Sequence, residues 1–120
     1  MKNKHVLVVE DDPIASHALS LIFKQLGAIV SVAENVTQGI RQLETESFDW
    51  MILDLMLPDG EGTELLSRVR AKGLATKVVV ATASADDRLL SRVRAQQPEG
   101  LLRKPTDIRE LLAVMQDSSA

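Results

Sequence analysis

Cysteine and tyrosine are absent from the 120 residues, and the aromatic side chains are two phenylalanines and one tryptophan. Without thiols there can be no disulfide framework and no thiolate zinc site, and the chain suits a reducing compartment such as the cytoplasm. With so few rings the core must be aliphatic, and stacking platforms for nucleic-acid bases are missing. A basic surplus is missing as well. The formal net charge is −3, whereas general binding to nucleic acid needs a basic surface. No apolar run approaches membrane-spanning length, and a first strand starting near residue 4 leaves no room for a signal peptide. Neither a Walker A loop nor GxGxxG occurs, which disfavours nucleotide binding. What is present, 45% hydrophobic and 26% charged residues, describes one ordinary globular domain over residues 1–120.

The stretch from Trp50 to Gly60 organises the chain. Trp50-Met51-Ile52-Leu53 runs into Asp54, and Pro58 and Gly60 follow. An apolar run bounded by turn formers reads as a strand buried on both faces. Asp54 then stands at the carboxyl end of a core strand, where open parallel sheets hold their ligands. A second run, Val6 to Val9, ends in Glu10-Asp11-Asp12. If these strands are neighbours, three or four carboxylates share one crevice. At 4 Å and an effective dielectric near 20, each like-charge pair costs on the order of 4 kcal/mol. A hard cation, a proton or a covalent modification would relieve that repulsion.

In chain order, a strand at 4–9 precedes a helix capped by Asp12, with Pro13 in its first turn and Gly27 at its end. Ala15, Ala18, Leu19, Ile22 and Leu26 have helical spacing and should face the core. A strand at 28–32 leads to a helix capped by Asn35. The strand at 50–53 is followed by a loop and a helix carrying Leu65, Leu66 and Val69. Strand 77–81, a helix over about 86–96, strand 100–102 and a last helix capped by Thr106 complete the chain, and Ser118-Ser119-Ala120 reads as a frayed end. Five strand–helix units in strict alternation imply an α/β fold with helices on both faces of a parallel sheet. Right-handed crossovers favour the doubly wound, flavodoxin-like order 2-1-3-4-5, which sets the two acidic strand ends side by side.

The heptapeptide LLSRVRA occurs at 65–71 and again at 89–95. Two helices in equivalent slots of one sheet can share one amphipathic solution, so the repetition reads as packing. His5, His17, Met51, Met56 and Met115 carry no metal or catalytic pattern, and the methionines read as core. Arg88 and Arg92 lie one turn apart and suit either solvent or an acidic partner.

With VLVVEDD, DLMLPDGEG, ATA and KP in this order and spacing, the sequence resembles a bacterial response-regulator receiver domain over essentially its whole length. The resemblance implies a signalling domain that catalyses only its own phosphotransfer and dephosphorylation. Asp54 matches the phosphoacceptor, and a carboxylate can attack phosphorus to form an acyl phosphate. Glu10 and Asp11 match the acidic pair that holds Mg²⁺, an ion that prefers oxygen ligands. Asp11 and Asp54 would ligate directly, Glu10 through water, and the backbone carbonyl of Met56 would add a further oxygen. Lys104, with a cis bond to Pro105, would pair with Asp54 and then with a phosphoryl oxygen. The Thr82 hydroxyl and the Ala83 N–H would donate to the phosphoryl group.

One departure from the family pattern is Leu101, at a position usually held by a switching Tyr or Phe. The resemblance implies a histidine kinase or histidine phosphotransfer protein as donor and an unidentified protein as downstream partner. Apolar Ile14 and Leu21 on the first helix would suit docking to the donor. It also admits a dimer through the fourth helix, fifth strand and fifth helix. Because the sequence ends after one domain, a DNA-binding or enzymatic output module is not expected within it, and the chain acts through partners or belongs to a longer protein. Two other readings compete. Leu101 favours a phosphorylation-independent interaction module on the same fold. An aspartyl phosphohydrolase would require a DxDx(T/V) pattern that Glu10-Asp11-Asp12-Pro13 does not match.

Overall fold

The apolar runs become the centre of a parallel sheet. In a computed structural model, which describes residues 1–119 with side chains as far as Gln116, the strands are β1 (His5–Val9), β2 (Ile29–Ala33), β3 (Trp50–Leu53), β4 (Lys77–Thr82) and β5 (Gly100–Arg103). They pair in the order β2-β1-β3-β4-β5, every neighbour parallel. Five helices join or follow them: α1 (Pro13–Gln25), α2 (Val36–Thr45), α3 (Thr63–Ala71), α4 (Asp87–Ala95) and α5 (Ile108–Ser119). Ser118 and Ser119 thus belong to α5, and Ala120 lies outside the described residues. The doubly wound α/β order read from the alternation is the order found.

Both faces of the sheet are covered, which is why β3 is apolar at all four positions and buried throughout. On one face Leu7, Val9, Met51, Leu53, Val78 and Val80 pack against α2, α3 and α4. On the other, Val6, Val8, Ile52 and Val79 meet Phe23 of α1 and Leu111 and Met115 of α5. Burying each such side chain contributes roughly 1.5–3 kcal/mol.

Helix starts follow the capping residues. Asp12 accepts from the Ile14 N–H at 3.0 Å, Asn35 from Gln38 at 2.8 Å and Asp86 from Arg88 at 3.0 Å. The last cap differs from expectation. Helix α5 begins at Ile108, and Asp107, not Thr106, accepts from the Arg109 N–H at 2.9 Å. A carboxylate at that position also meets the positive end of the helix dipole.

Helix α1 is the larger departure. Its buried residues are Ser16, Ser20 and Phe23, one position round from the expected stripe and so turned by about 100°. Two serines let the helix backbone lie close to the sheet. Of the expected stripe Leu19 does pack, partly buried, against the core; with Ala15, Ala18 and Ile22 it also lines a groove of about 600 Å³ between α1 and the start of α5, and Leu26 is 42% exposed. The close approach has a cost, because the buried Ser20 hydroxyl has no hydrogen-bond partner. Ser20→Ala is therefore expected to raise stability by about 1 kcal/mol in urea denaturation. A loss of that size would mean that the hydroxyl is satisfied in solution.

Candidate functional site

The strand register builds the site. Val9 is the last residue of β1 in register with both Ala33 and Leu53. The chain continues with the Glu10 N–H bonded to Ala33 O at 2.9 Å and the Asp54 N–H to Val9 O at 3.0 Å. Glu10 and Asp54 therefore leave adjacent strands at the same level. Both are buried, while Asp11 is exposed. Each of the three can offer one carboxylate oxygen to a set in which all lie within 4.8 Å of one another. A donor set made of carboxylate oxygens fits a hard divalent cation.

Lys104, just past β5, closes the cluster from the other side. Its Nζ lies 3.1 Å from Asp54 Oδ2 and hydrogen-bonds Glu10 Oε1 as well. The peptide bond between Lys104 and Pro105 is cis. Burial pushes the Glu10 carboxyl up from its usual value; the hydrogen bonds from Lys104 and the Asp12 N–H only partly offset this. For Lys104 burial acts downward, but hydrogen bonds to Glu10 and Asp54 outweigh it and raise the ammonium above the ordinary lysine value. Asp54 Oδ1 accepts from the Met56 N–H at 3.1 Å, which orients the carboxylate from behind.

Thr82 ends β4, is buried, and accepts through its hydroxyl from the Ser84 N–H at 3.0 Å. Ala83 is exposed beside it and lines the same groove as Asp54 and Lys104. Leu101 packs, partly buried, against the core on the α4 face. The packing role expected of Met56 does not hold: its side chain is 58% exposed, because residue 56 lies on an outer two-stranded ribbon, Met56–Leu57 against Gly60–Glu61. Met51 and Met115 are buried as expected.

The structure adds contacts that the sequence does not announce. Asp59, in the turn of the ribbon, accepts from the N–H groups of Val36 at 2.8 Å and Thr37 at 3.1 Å and from the Thr37 hydroxyl at 2.8 Å. It thus caps α2 from a loop more than 20 residues away and anchors the ribbon that carries the Met56 carbonyl. The backbone hydrogen bond from Val36 is the main reason its carboxyl is held below the usual value. A lowered folded-state pKa contributes stability above the unfolded value near 3.9, and that contribution disappears as pH falls through the folded value. Asp59→Asn is accordingly expected to lower Tm at pH 7, with the difference from the parent shrinking toward pH 3. A difference independent of pH would show that the charge is irrelevant to the cap.

Gly62 is the other hidden constraint. A Cβ there would stand 2.2 Å from the Asp54 carbonyl oxygen and 3.0 Å from Leu53 Cδ1. The carbonyl belongs to the backbone and cannot swing aside, so any side chain displaces the loop that follows Asp54. Gly62→Ala is expected to cost about 2 kcal/mol or more in urea denaturation and to weaken divalent-cation binding. Parental values for both would mean that the loop has slack.

Comparison with known proteins points one way. A family model described as the response regulator receiver domain matches residues 6–116. A 14.6 kDa uncharacterised protein of Leptolyngbya boryana is 33% identical, the alignment covering 92% of this chain and 86% of that protein. The transcriptional activator protein IrlR of Burkholderia pseudomallei is 34% identical over 90% of this chain and 47% of its own length. Apart from the Leptolyngbya protein, the chain spans about half the length of such curated relatives. A CheY-like receiver domain crystal structure from Methanospirillum hungatei superposes with a TM-score of 0.91 at 26% identity, covering 98% of this chain and 94% of that one. The receiver domain of the Pseudomonas aeruginosa sensor kinase PA1611, crystallised with magnesium in its active-site cleft, shares the fold at 23% identity and a TM-score of 0.83, with 96% of each chain covered.

Proposed function

This chain belongs to the response regulator receiver domain family of two-component signalling, and from that premise we propose that it is a Mg²⁺-dependent phosphoacceptor switch with Asp54 as the acceptor. The observation that carries the proposal is one cluster in which buried Asp54 is oriented by the Met56 N–H, faced by Lys104 and flanked by buried Glu10 and exposed Asp11.

Asp54 would attack the phosphorus of a phosphohistidine on a histidine kinase or histidine phosphotransfer protein. The new bond is O–P, the N–P bond breaks, and its electron pair returns to the imidazole, which takes a proton from solvent. Lys104 would exchange its contact with Asp54 for one with a phosphoryl oxygen, so its charge stays paired throughout. The hydroxyl of Thr82, the last residue of β4, and the N–H of Ala83 after it would donate to the remaining oxygens. Glu10, Asp11, Asp54 and the Met56 carbonyl would hold Mg²⁺, which when bound neutralises the charge accumulating as carboxylates and phosphoryl oxygens converge. The chain is a signalling domain; phosphotransfer onto itself and its reversal would be its only chemistry. Exposed Ile14 and Leu21 on α1, 81% and 48% accessible, would help dock the donor, and a separate protein or a further domain would read the result. Such a switch would work in the cytoplasm, and among the described residues no helix is long and apolar enough to cross a membrane.

Intact mass after incubation with acetyl phosphate tests the proposal. A gain of one phosphoryl group with Mg²⁺ and none without it is expected. No gain in either condition would favour the phosphorylation-independent module, with Leu101 as its first clue.

A further inference from the structure

The two edges of the sheet are built differently. At one edge β5 ends in exposed Arg103 and is bounded by Pro98 and Pro105. Charge and proline are common means of keeping a free strand edge from pairing with another chain. At the other edge β2 reads Ile29-Val30-Ser31-Val32-Ala33 and has neither. Its apolar side chains also reach solvent: Ile29 is 56% and Val32 38% exposed.

Contacts with β1 fix which backbone groups of β2 are free. The Ile29 N–H donates to Lys4 O at 2.8 Å, and Ala33 O accepts from the Glu10 N–H at 2.9 Å. The N–H and C=O of one strand residue point to the same side, and the side alternates along the strand. Residues 29, 31 and 33 therefore turn to β1, and Val30 and Val32 turn their groups outward. Among the described residues no strand pairs with that outer side. The outward groups stand symmetrically about Ser31. A second β2 laid antiparallel along this edge would set each Val30 opposite the other copy's Val32, where such a pair exchanges both backbone hydrogen bonds.

Side chains and charges obey the same symmetry. Val30 packs, partly buried, on the α1 face of the sheet, and Val32 projects from that face too, two residues along. Each exposed Val32 would thus cover the other copy's Val30, a β-branched cross-strand pair. Lys2 lies against Gly27 at the start of the edge, where a Cβ would stand 3.0 Å from its Cα, and Glu34 follows the end. Both side chains are exposed. Turning one copy end for end brings each Glu34 toward the other copy's Lys2.

We infer that β2 is a self-pairing edge, through which two copies of the chain join antiparallel about a two-fold axis at Ser31 and make one continuous sheet. Isologous contacts require self-complementarity, and here backbone, side chains and charges each supply it. The inference rests on the fold and is independent of phosphoacceptor chemistry. Because the strand is short, the association is weak.

Sedimentation equilibrium of the whole chain from micromolar to millimolar, joined to cysteine cross-linking, tests it. The parent is expected to dimerise with a Kd of roughly 0.1–1 mM. Val32→Lys, at an exposed position, should weaken the dimer about tenfold or more, with circular dichroism to establish that it is folded. The chain has no cysteine, so one introduced thiol reports one position. Ser31→Cys sets two thiols at the axis, with Cα atoms about 4.5 Å apart and within disulfide reach. Ile29→Cys sets them four residues out of register, roughly 14 Å apart, although position 29 is the more exposed. Under mild oxidation Ser31→Cys should therefore form a linked dimer about tenfold faster than Ile29→Cys. A parent that stays monomeric at millimolar concentration would overturn the inference. So would a folded Val32→Lys that associates like the parent, or Ile29→Cys linking as fast as Ser31→Cys.

Discussion

Asp54→Asn is expected to fold, to lose phosphoryl uptake from acetyl phosphate entirely, and to bind Mg²⁺ at least tenfold more weakly. Asparagine keeps the shape and can still accept from the Met56 N–H, which holds Asp54 Oδ1 at 3.1 Å. Folding should survive because Lys104 retains Glu10 as a partner. Binding should suffer because a cation would find two carboxylates where three lie within 4.8 Å; tenfold corresponds to about 1.4 kcal/mol, well below the roughly 4 kcal/mol of a single charge pair at 4 Å in a dielectric near 20. Acceptance should vanish because an amide is no nucleophile toward phosphorus. Intact mass and a calorimetric Mg²⁺ titration check the two effects. Residual phosphoryl uptake in the variant would move the acceptor elsewhere.

The second large effect concerns stability. Lys104→Met should destabilise the chain by about 2–3 kcal/mol at neutral pH without divalent ions, since it leaves two buried carboxylates without their cation. Glu10 and Asp54 have side-chain exposures of only 5% and 8%, against 27% for Lys104. The sign of the pH dependence follows from the raised Lys104 value. Its contribution is complete below the unfolded lysine pKa near 10.4 and is lost only as pH rises through the higher folded value. On the acid side the Glu10 carboxyl, pushed up by burial, takes a proton and relieves the repulsion. The difference between parent and variant should thus be flat from about pH 7 to 9 and narrow toward both extremes. Millimolar Mg²⁺ should recover much of the loss by binding only the folded state. Urea denaturation across pH, with and without Mg²⁺, measures both. A variant as stable as the parent at pH 7 without Mg²⁺ would mean that the cluster is not held together by that ammonium.

Much of this was legible because strands buried on both faces must be apolar throughout. Val6–Val9 and Trp50–Leu53 needed no alternation to be read, and the carboxylates after them followed from chain order alone. Helix α1 follows the expected stripe only in part: Leu19 packs against the core, but Ser16, Ser20 and Phe23 are the fully buried positions, and inward serines at close approach to the sheet are not marked by hydropathy. The α5 cap was displaced by one residue because Thr106 and Asp107 are both competent and hydropathy cannot choose between them. Within the site, the residue types were readable, but the contacts that hold them join distant segments. Lys104 meets Glu10 across 94 positions, and Asp59 reaches Thr37 across 22. Nothing local in either segment encodes the partner.

The most direct test of the central claim is to phosphorylate the chain with acetyl phosphate and Mg²⁺, reduce it with borohydride, and sequence the peptides by mass spectrometry. Borohydride converts an aspartyl phosphate to homoserine and leaves free carboxylates alone. Homoserine at position 54 and nowhere else is the predicted result. Homoserine at Asp11, Asp12 or Asp59, or none in a chain that has gained a phosphoryl group, would contradict it.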